Sequence, residues 1–240
     1  MSKNDSVKME VSSASTTDDS FYSNAVQYWS EIPPTIDGML GGFGHISQTD
    51  IRDSKLLLKQ LFNSKEPPGR GHALDCGAGI GRITKHLLSD FFDQIDLVEQ
   101  NPKFLSQAEQ YLGPKLQEKV NYYSVGLQSF KPEKQYDVIW CQWVLGHLTD
   151  LDLVTFLKSC QSGLKPNGVI IIKENISSSE EIDKDERDSS VTRPLSLFRQ
   201  IFAKADLDCY RQVKQRNFPK GLYTVYMFIL RPQKQHVPDE

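Results

Sequence analysis

Leu74-Asp75-Cys76-Gly77-Ala78-Gly79-Ile80-Gly81-Arg82 decides the architecture of this 240-residue chain. The run before it, His72 to Cys76, reads as a short buried strand. Ile80 to Leu88 carries apolar residues at helical spacing, with Arg82 and Lys85 facing outward. Between them Gly77, Gly79 and Gly81 let backbone N–H groups approach a ligand with no Cβ in the way. Strand, glycine turn and helix in that order open an α/β fold with a binding site at the turn.

The spacing narrows the ligand. A dinucleotide site carries G-x-G-x-x-G, whereas this chain has G-x-G-x-G with an acid two residues ahead, a pattern that suits S-adenosyl-L-methionine better than a pyrophosphate. A nicotinamide oxidoreductase is disfavoured on the same ground. Gln94 to Val98 forms a second strand, and Glu99, 18 residues after Gly81, ends it where a carboxylate accepts both ribose hydroxyls of an adenosine.

Outward from the turn, the pattern predicts strands 72–76, 94–99, 119–125, 136–141 and 169–173, and helices 80–89, 102–112 and 150–163. Pro166-Asn167-Gly168 forms the turn before the last of these strands. Such alternation specifies a mostly parallel sheet covered on both faces. Helix 194–204 then leads to two β-rich runs, 207–213 and 223–230, expected as a terminal antiparallel hairpin on the sheet edge. Residues 1–19 are polar and read as a disordered tail. A helix from Phe21 to Glu31 must stop before Pro33-Pro34. A flexible glycine segment follows from Gly38, and Ser47 or Thr49 is placed to cap the next helix. The expected organisation is therefore a tail, a helical extension with a glycine-rich lid over 20–65, an α/β cofactor-binding domain over 66–233, and a short tail over 234–240.

A formal charge of −3 and 38% hydrophobic content favour one sizeable core and argue against direct binding to nucleic acid. The four cysteines lie far apart without CxxC or Cys/His clustering, so neither a metal nor a disulfide framework is expected. There is no run of 18 apolar residues and no secretory signal, so no membrane span is expected and a cytoplasmic or nuclear location is.

In an open α/β sheet the chemistry sits just beyond the carboxyl ends of the strands. There this chain places Gly126-Leu127-Gln128, where Leu127 can touch adenine and Gln128 its edge, then Gln142-Trp143 with His147, and then Glu174-Asn175. Arg82 suits a carboxylate. If residues 143–147 turn helical, Trp143 and His147 share a face, although a packed Trp and a satisfied core His are the plainer readings. Seven acids between Glu174 and Asp188 read by default as a solvated loop, but one leaving the functional edge of the sheet, where it would attract a basic substrate.

With these residues in hand, the chain closely resembles the protein α-N-terminal methyltransferases, which methylate the free amine of proteins beginning X-Pro-Lys. The resemblance rests on Tyr28-Trp29 with Ile32-Pro33-Pro34-Thr35, on DGMLGGFGHIS (Asp37 to Ser47), on ALDCGAGIGRITK (Ala73 to Lys85), on YDVIWCQWVLGHLTD (Tyr136 to Asp150) and on Asp188 to Val191. It implies a class I S-adenosylmethionine-dependent methyltransferase fold with a seven-stranded sheet. It implies that Gly77, Arg82, Glu99, Leu127, Gln128 and Gln142 contact the cofactor. Trp29, Leu40, Gly41, Ile46, Trp143, Asn175, Asp185, Asp188, Ser190, Leu222 and Tyr223 are then expected to line a peptide groove. His147 and Asp188 would flank the reacting amine and Asn175 would orient it. Asp185 and Ser190 would receive Lys or Arg at substrate position three. The family commonly has Asp where Glu99 stands, and the loop from Asn175 to Asp188 is longer here. The alternatives are a small-molecule amine methyltransferase of the same fold and a cofactor-binding scaffold without turnover.

Overall fold

The computed structural model describes residues 14–233, with side chains from residue 20 onward. Strands β1 (His72–Cys76), β2 (Gln94–Val98), β3 (Val120–Tyr123), β4 (Tyr136–Gln142) and β5 (Leu164–Ile176) run parallel. Strands β8 (Leu207–Lys214) and β9 (Thr224–Pro232) close the sheet antiparallel, in the order β3-β2-β1-β4-β5-β9-β8. The intervening β6 (Asp183–Asp185) and β7 (Ser190–Thr192) form a separate two-stranded ribbon. The order reverses around β1, which pairs with β2 on one side and β4 on the other, so the glycine turn lies at the crevice where such sheets bind ligands.

Helices cover both faces, as a parallel sheet requires. On one side α7 (Asp150–Ser162) and α8 (Leu195–Lys204) bury Leu153, Phe156, Leu157, Phe198, Ile201 and Phe202 against Leu74 and Ile139. On the other, α3 (Ser47–Phe62) and α5 (Pro102–Leu112) bury Leu57, Leu58, Leu61, Leu105 and Ala108 against Ala73, Ile95 and Val138. Local sequence sets the helix starts. Asn101 caps α5 by accepting from the Lys103 N–H at 3.0 Å, with Pro102 in the first turn, and Thr149 caps α7 through the Asp152 N–H. Short helices α4 (Arg82–His86) and α6 (Pro114–Gln117) complete the domain, while α1 (Ala14–Glu31) and α2 (Ile36–Met39) lie across its functional edge.

Several expectations are corrected. Helix α1 begins at Ala14, ahead of the Phe21 start read from the pattern; residues 1–13 and 234–240, where the two tails are expected, lie outside the described residues. The glycine segment contains α2 and a 3₁₀ turn at Gly44–Ile46, from which α3 starts directly, without a side-chain cap from Ser47 or Thr49. The helix expected over 80–89 stops at His86 and gives way to a 3₁₀ turn at Leu88–Asp90. Arg82 is buried, not outward, because Asp50 on α3 supplies its counter-charge at 2.7 Å. Pro166-Asn167-Gly168 does not precede β5 but bulges within it: Asn167 takes φ +62°, and the β4 pairing jumps from Tyr136↔Leu164 to Val138↔Val169.

Candidate active site

Gly77, Gly79 and Gly81 all take positive φ (64°, 56° and 77°), a region that disfavours other residues. At Gly77 the packing adds a second demand, since a Cβ there would fall 2.2 Å from Val144 Cγ2. The turn is thereby pressed onto the loop following β4. The acid ahead of the glycines anchors this turn: Asp75 accepts from the Thr84 N–H at 3.0 Å and the Thr84 hydroxyl at 2.6 Å. Burial pushes its carboxyl up to about 7, with those two bonds working the other way.

Two small cavities flank the turn. One, of about 110 Å³, is bounded by Gly77, Gly79, Arg82, Glu99 and Gln142; the other, of about 50 Å³, by Gly77, Glu99, Leu127 and Gln128. Gly81 reaches neither; it packs near Leu97 and Leu112 and serves the start of α4. Glu99 is buried, and its oxygens accept from the Gly79 N–H at 3.0 Å and the Asn101 N–H at 2.8 Å. A carboxylate offers about four lone-pair sites, so Glu99 keeps acceptor capacity for a ribose diol. Arg82 spends one amino group on Asp50 and keeps further N–H groups at the cavity wall. An acid beside an apolar slot and a buried cation at the other end of the same crevice form a donor and acceptor set that fits S-adenosylmethionine.

Beyond the crevice opens a groove of about 450 Å³. Leu40, Gly41, Ile46, Asn175, Asp185, Asp188, Ser190, Leu222 and Tyr223 line it, together with Phe43 and Phe218, which the sequence reading passed over. Trp29, Met39, Trp143 and His147 border both the groove and the 110 Å³ cavity, so the two compartments meet at these four side chains. Helix α1 is clamped over this junction. The Phe21 carbonyl accepts from the Ser189 hydroxyl at 2.9 Å, the Trp29 carbonyl accepts from the Asn101 amide at 3.2 Å, and Tyr22 bonds Asp152.

Proton positions at the junction follow from donor chemistry. The Trp29 indole donates to His147 Nε2 at 3.0 Å. Indole N–H only donates, so Nε2 is the acceptor and a neutral ring carries its proton on Nδ1. Burial holds the His147 pKa below the ordinary imidazole value; Asp188, the Ser189 backbone and Asp185 counter it in part. Nδ1 itself makes no hydrogen bond of normal geometry, and neither does the buried Oδ1 of Asp188. Trp143 and His147 do not share a helical face as expected. Only Leu145–His147 turns, as a 3₁₀ element, while Trp143 sits at φ +52° with its N–H on the Lys173 carbonyl at 3.0 Å.

Glu174, read from sequence among solvated acids, is 6% exposed and accepts from the Val144 and Leu145 N–H groups, both at 2.9 Å, which fixes the loop behind Trp143. Burial pushes it up to about 7 against those bonds. The folded state thus holds this proton more tightly than the unfolded chain, whose value is about 4.3. Its contribution is full below about 4.3 and is lost as pH rises through about 7. Glu174→Gln keeps the acceptor and removes the titration. Its melting temperature should match the native protein near pH 4 and exceed it increasingly up to about pH 7.5. A constant difference across that range would mean Glu174 is not protonated in the fold.

The fold and the crevice define a class I S-adenosylmethionine-dependent methyltransferase, and the comparisons place it more closely. Residues 17–231 match the AdoMet dependent proline di-methyltransferase family, and the chain belongs to that family. It is 49% identical to alpha N-terminal protein methyltransferase 1 of Drosophila melanogaster, across 88% of this chain and 76% of that protein. It is also 49% identical to N-terminal Xaa-Pro-Lys N-methyltransferase 1 of Homo sapiens, across 88% and 95%. Among solved structures, a SAM-dependent methyltransferase of Leishmania major superposes with a TM-score of 0.81 at 34% identity, covering 88% of this chain and 83% of that one. Among the described residues no helix is long and apolar enough to cross a membrane, and no group of three or more metal-ligating side chains converges.

Proposed function

We propose that this enzyme transfers methyl groups from S-adenosylmethionine to the free α-amine of polypeptides beginning Xaa-Pro-Lys or Xaa-Pro-Arg. The observation that carries the reading is the meeting of cofactor crevice and acid-lined groove at Trp29, Trp143 and His147, beside the vacant buried oxygen of Asp188. The bound cofactor supplies an electrophilic methyl carbon on a sulfonium. The chain's own task is to bring a neutral nitrogen in line with it, and positioning of that kind lowers the barrier by several kcal/mol.

A free α-amine has a pKa of about 7.7 to 8.0, so at neutral pH most of it is ammonium and lacks a lone pair. Asp188 Oδ1 is the open acceptor for that proton. His147 has its Nε2 engaged by Trp29 and acts as a wall that fixes the approach, near enough to Asp188 to feel its charge. Asn175 on the groove lining orients the first peptide unit, and the indoles of Trp29 and Trp143 flank the proline ring and the cationic nitrogen. Proline suits position two because its ring fixes φ and carries no N–H that the groove would have to satisfy. Asp185 and Ser190 receive the basic side chain at position three.

Mass spectrometry of an Xaa-Pro-Lys-Arg peptide incubated with the enzyme and cofactor tests the reading. Methylation confined to the N-terminal nitrogen and abolished by N-acetylation is the expected result. Turnover of small free amines with none of the peptide favours the small-molecule alternative, and cofactor binding without any product favours the scaffold.

A further inference from the structure

Behind Arg82 and Gln142 of the crevice wall lies a buried polar cluster whose Lys173 and Asp50 have no part in the scheme above. Lys173 on β5 and Asp50 on α3 are both fully buried and paired at 2.5 Å. On one side Asp50 holds the cofactor wall: it accepts from Arg82 at 2.7 Å and from the Gln142 amide at 2.9 and 3.0 Å. On the other side the Lys173 ammonium donates to Ser54 at 2.9 Å and to Gln215 Oε1 at 2.7 Å. Gln215 in turn donates to Asp53 Oδ2 at 2.8 Å, which also accepts from the Arg216 N–H at 3.0 Å. Gln215 begins the connection from β8 to β9, whose residues Phe218, Leu222 and Tyr223 form a wall of the peptide groove. The backbone of the same lysine takes part as well, since its carbonyl receives the Trp143 N–H.

Charge gives this chain of bonds a direction. Arg82 and Lys173 are both buried and share the Asp50 carboxylate, so what it gives to one cation it cannot give to the other. An amino-acid carboxylate beside Arg82 supplies that cation with an anion of its own and leaves more of Asp50 to Lys173. The arrangement in which Lys173 braces Gln215 is then stabilised as a whole.

We propose that Lys173 is a positioning residue that makes the two ligands help each other. Through Asp50 it fixes Arg82 and Gln142 against the cofactor, and through Gln215 it fixes the base of the 215–223 connection against the peptide. This inference rests on the function proposed above. Coupling of this kind is reciprocal: whatever factor the cofactor side adds to peptide affinity, the peptide adds to cofactor affinity.

Lys173→Met removes a buried partner of Asp50 and risks unfolding, so the test uses Gln215→Met, which removes the side-chain bonds of Gln215 to Lys173, Asp53 and Arg216 and touches none of Asp50, Arg82 and Gln142, with its melting curve checked for cooperativity. Calorimetry measures the affinity of an Xaa-Pro-Lys peptide for the whole protein, with and without saturating S-adenosylhomocysteine. In the native protein S-adenosylhomocysteine is expected to strengthen peptide binding by roughly fivefold or more. In Gln215→Met that factor should fall towards one, while the affinity of S-adenosylhomocysteine alone stays at the native value. An equal factor in both proteins, or no factor in the native one, overturns the proposal even where the peptide is methylated. A native protein that neither binds nor methylates the peptide overturns the functional reading instead.

Discussion

Asp188→Asn is expected to slow single-turnover methylation of an Xaa-Pro-Lys peptide at pH 7 by about 10²-fold or more, and to regain part of that loss as the pH passes about 8. Both halves follow from one geometry. The buried Oδ1 of Asp188 has no partner, while the other candidate base has its Nε2 tied to an indole. An amide in place of the carboxylate cannot take the ammonium proton. Above about pH 8 the amine gives that proton to solvent unaided, so the variant has less to make up. His147→Ala should lose less in the chemical step. The check is a pH profile of single-turnover rates for the three proteins. A deficit of constant size from about pH 6.5 to 9.5 would show that Asp188 only holds the peptide, and no deficit would remove it from the reaction.

The second large effect is on stability. Asp50→Ala removes the lone buried carboxylate between Arg82 and Lys173 and should lower the unfolding free energy by about 3–5 kcal/mol. Burial works to raise the Asp50 carboxyl, but Lys173 and Arg82 outweigh it and hold it below the usual carboxylate range, so it is ionised at neutral pH. Removing it leaves two buried cations facing each other. A shift of this size moves the melting temperature of a domain this long by roughly 6–20 °C. Chemical denaturation of the variant measures it, and a loss under about 1 kcal/mol would mean that the cluster relaxes to admit water.

Much of this fold is visible in the sequence because period and punctuation agree. Strand β1 falls at the residues read from the pattern, the Asn101-Pro102 start fixes α5, and the alternation continues to the antiparallel closing pair. The groove was legible for another reason: DGMLGG and QWVLGHLTD are family strings, and Leu40, Gly41, Trp143 and His147 within them do line the site. What escaped depends on partners remote in the chain. Nothing near Lys173 announces Asp50, 123 positions away, and Arg82 looks solvent-facing until Asp50, 32 positions back, is brought beside it. Asp50 and Ser54 look like ordinary polar interruptions of an amphipathic helix, yet both are fully buried. The β6–β7 ribbon lies in an acid-rich stretch with little strand propensity, and pairing across its turn outweighs that. Met39 ends the four-residue helix α2 and Phe218 lies in the β8–β9 connection, and neither composition nor spacing separates them from incidental apolar residues.

The unpartnered buried oxygen of Asp188 also bears, on the proposed function, on where successive transfers would stop. A primary ammonium arrives with three hydrogens on nitrogen, and each round of chemistry exchanges one of them for carbon. After the third exchange the nitrogen has neither a proton to surrender nor a donor to aim at the carboxylate, and only its fixed charge and the facing indoles retain it. A chain whose first residue is itself proline starts one hydrogen short and reaches that end after two rounds. On the function proposed above, the acceptor would count hydrogens, and the terminus would be let go when none is left.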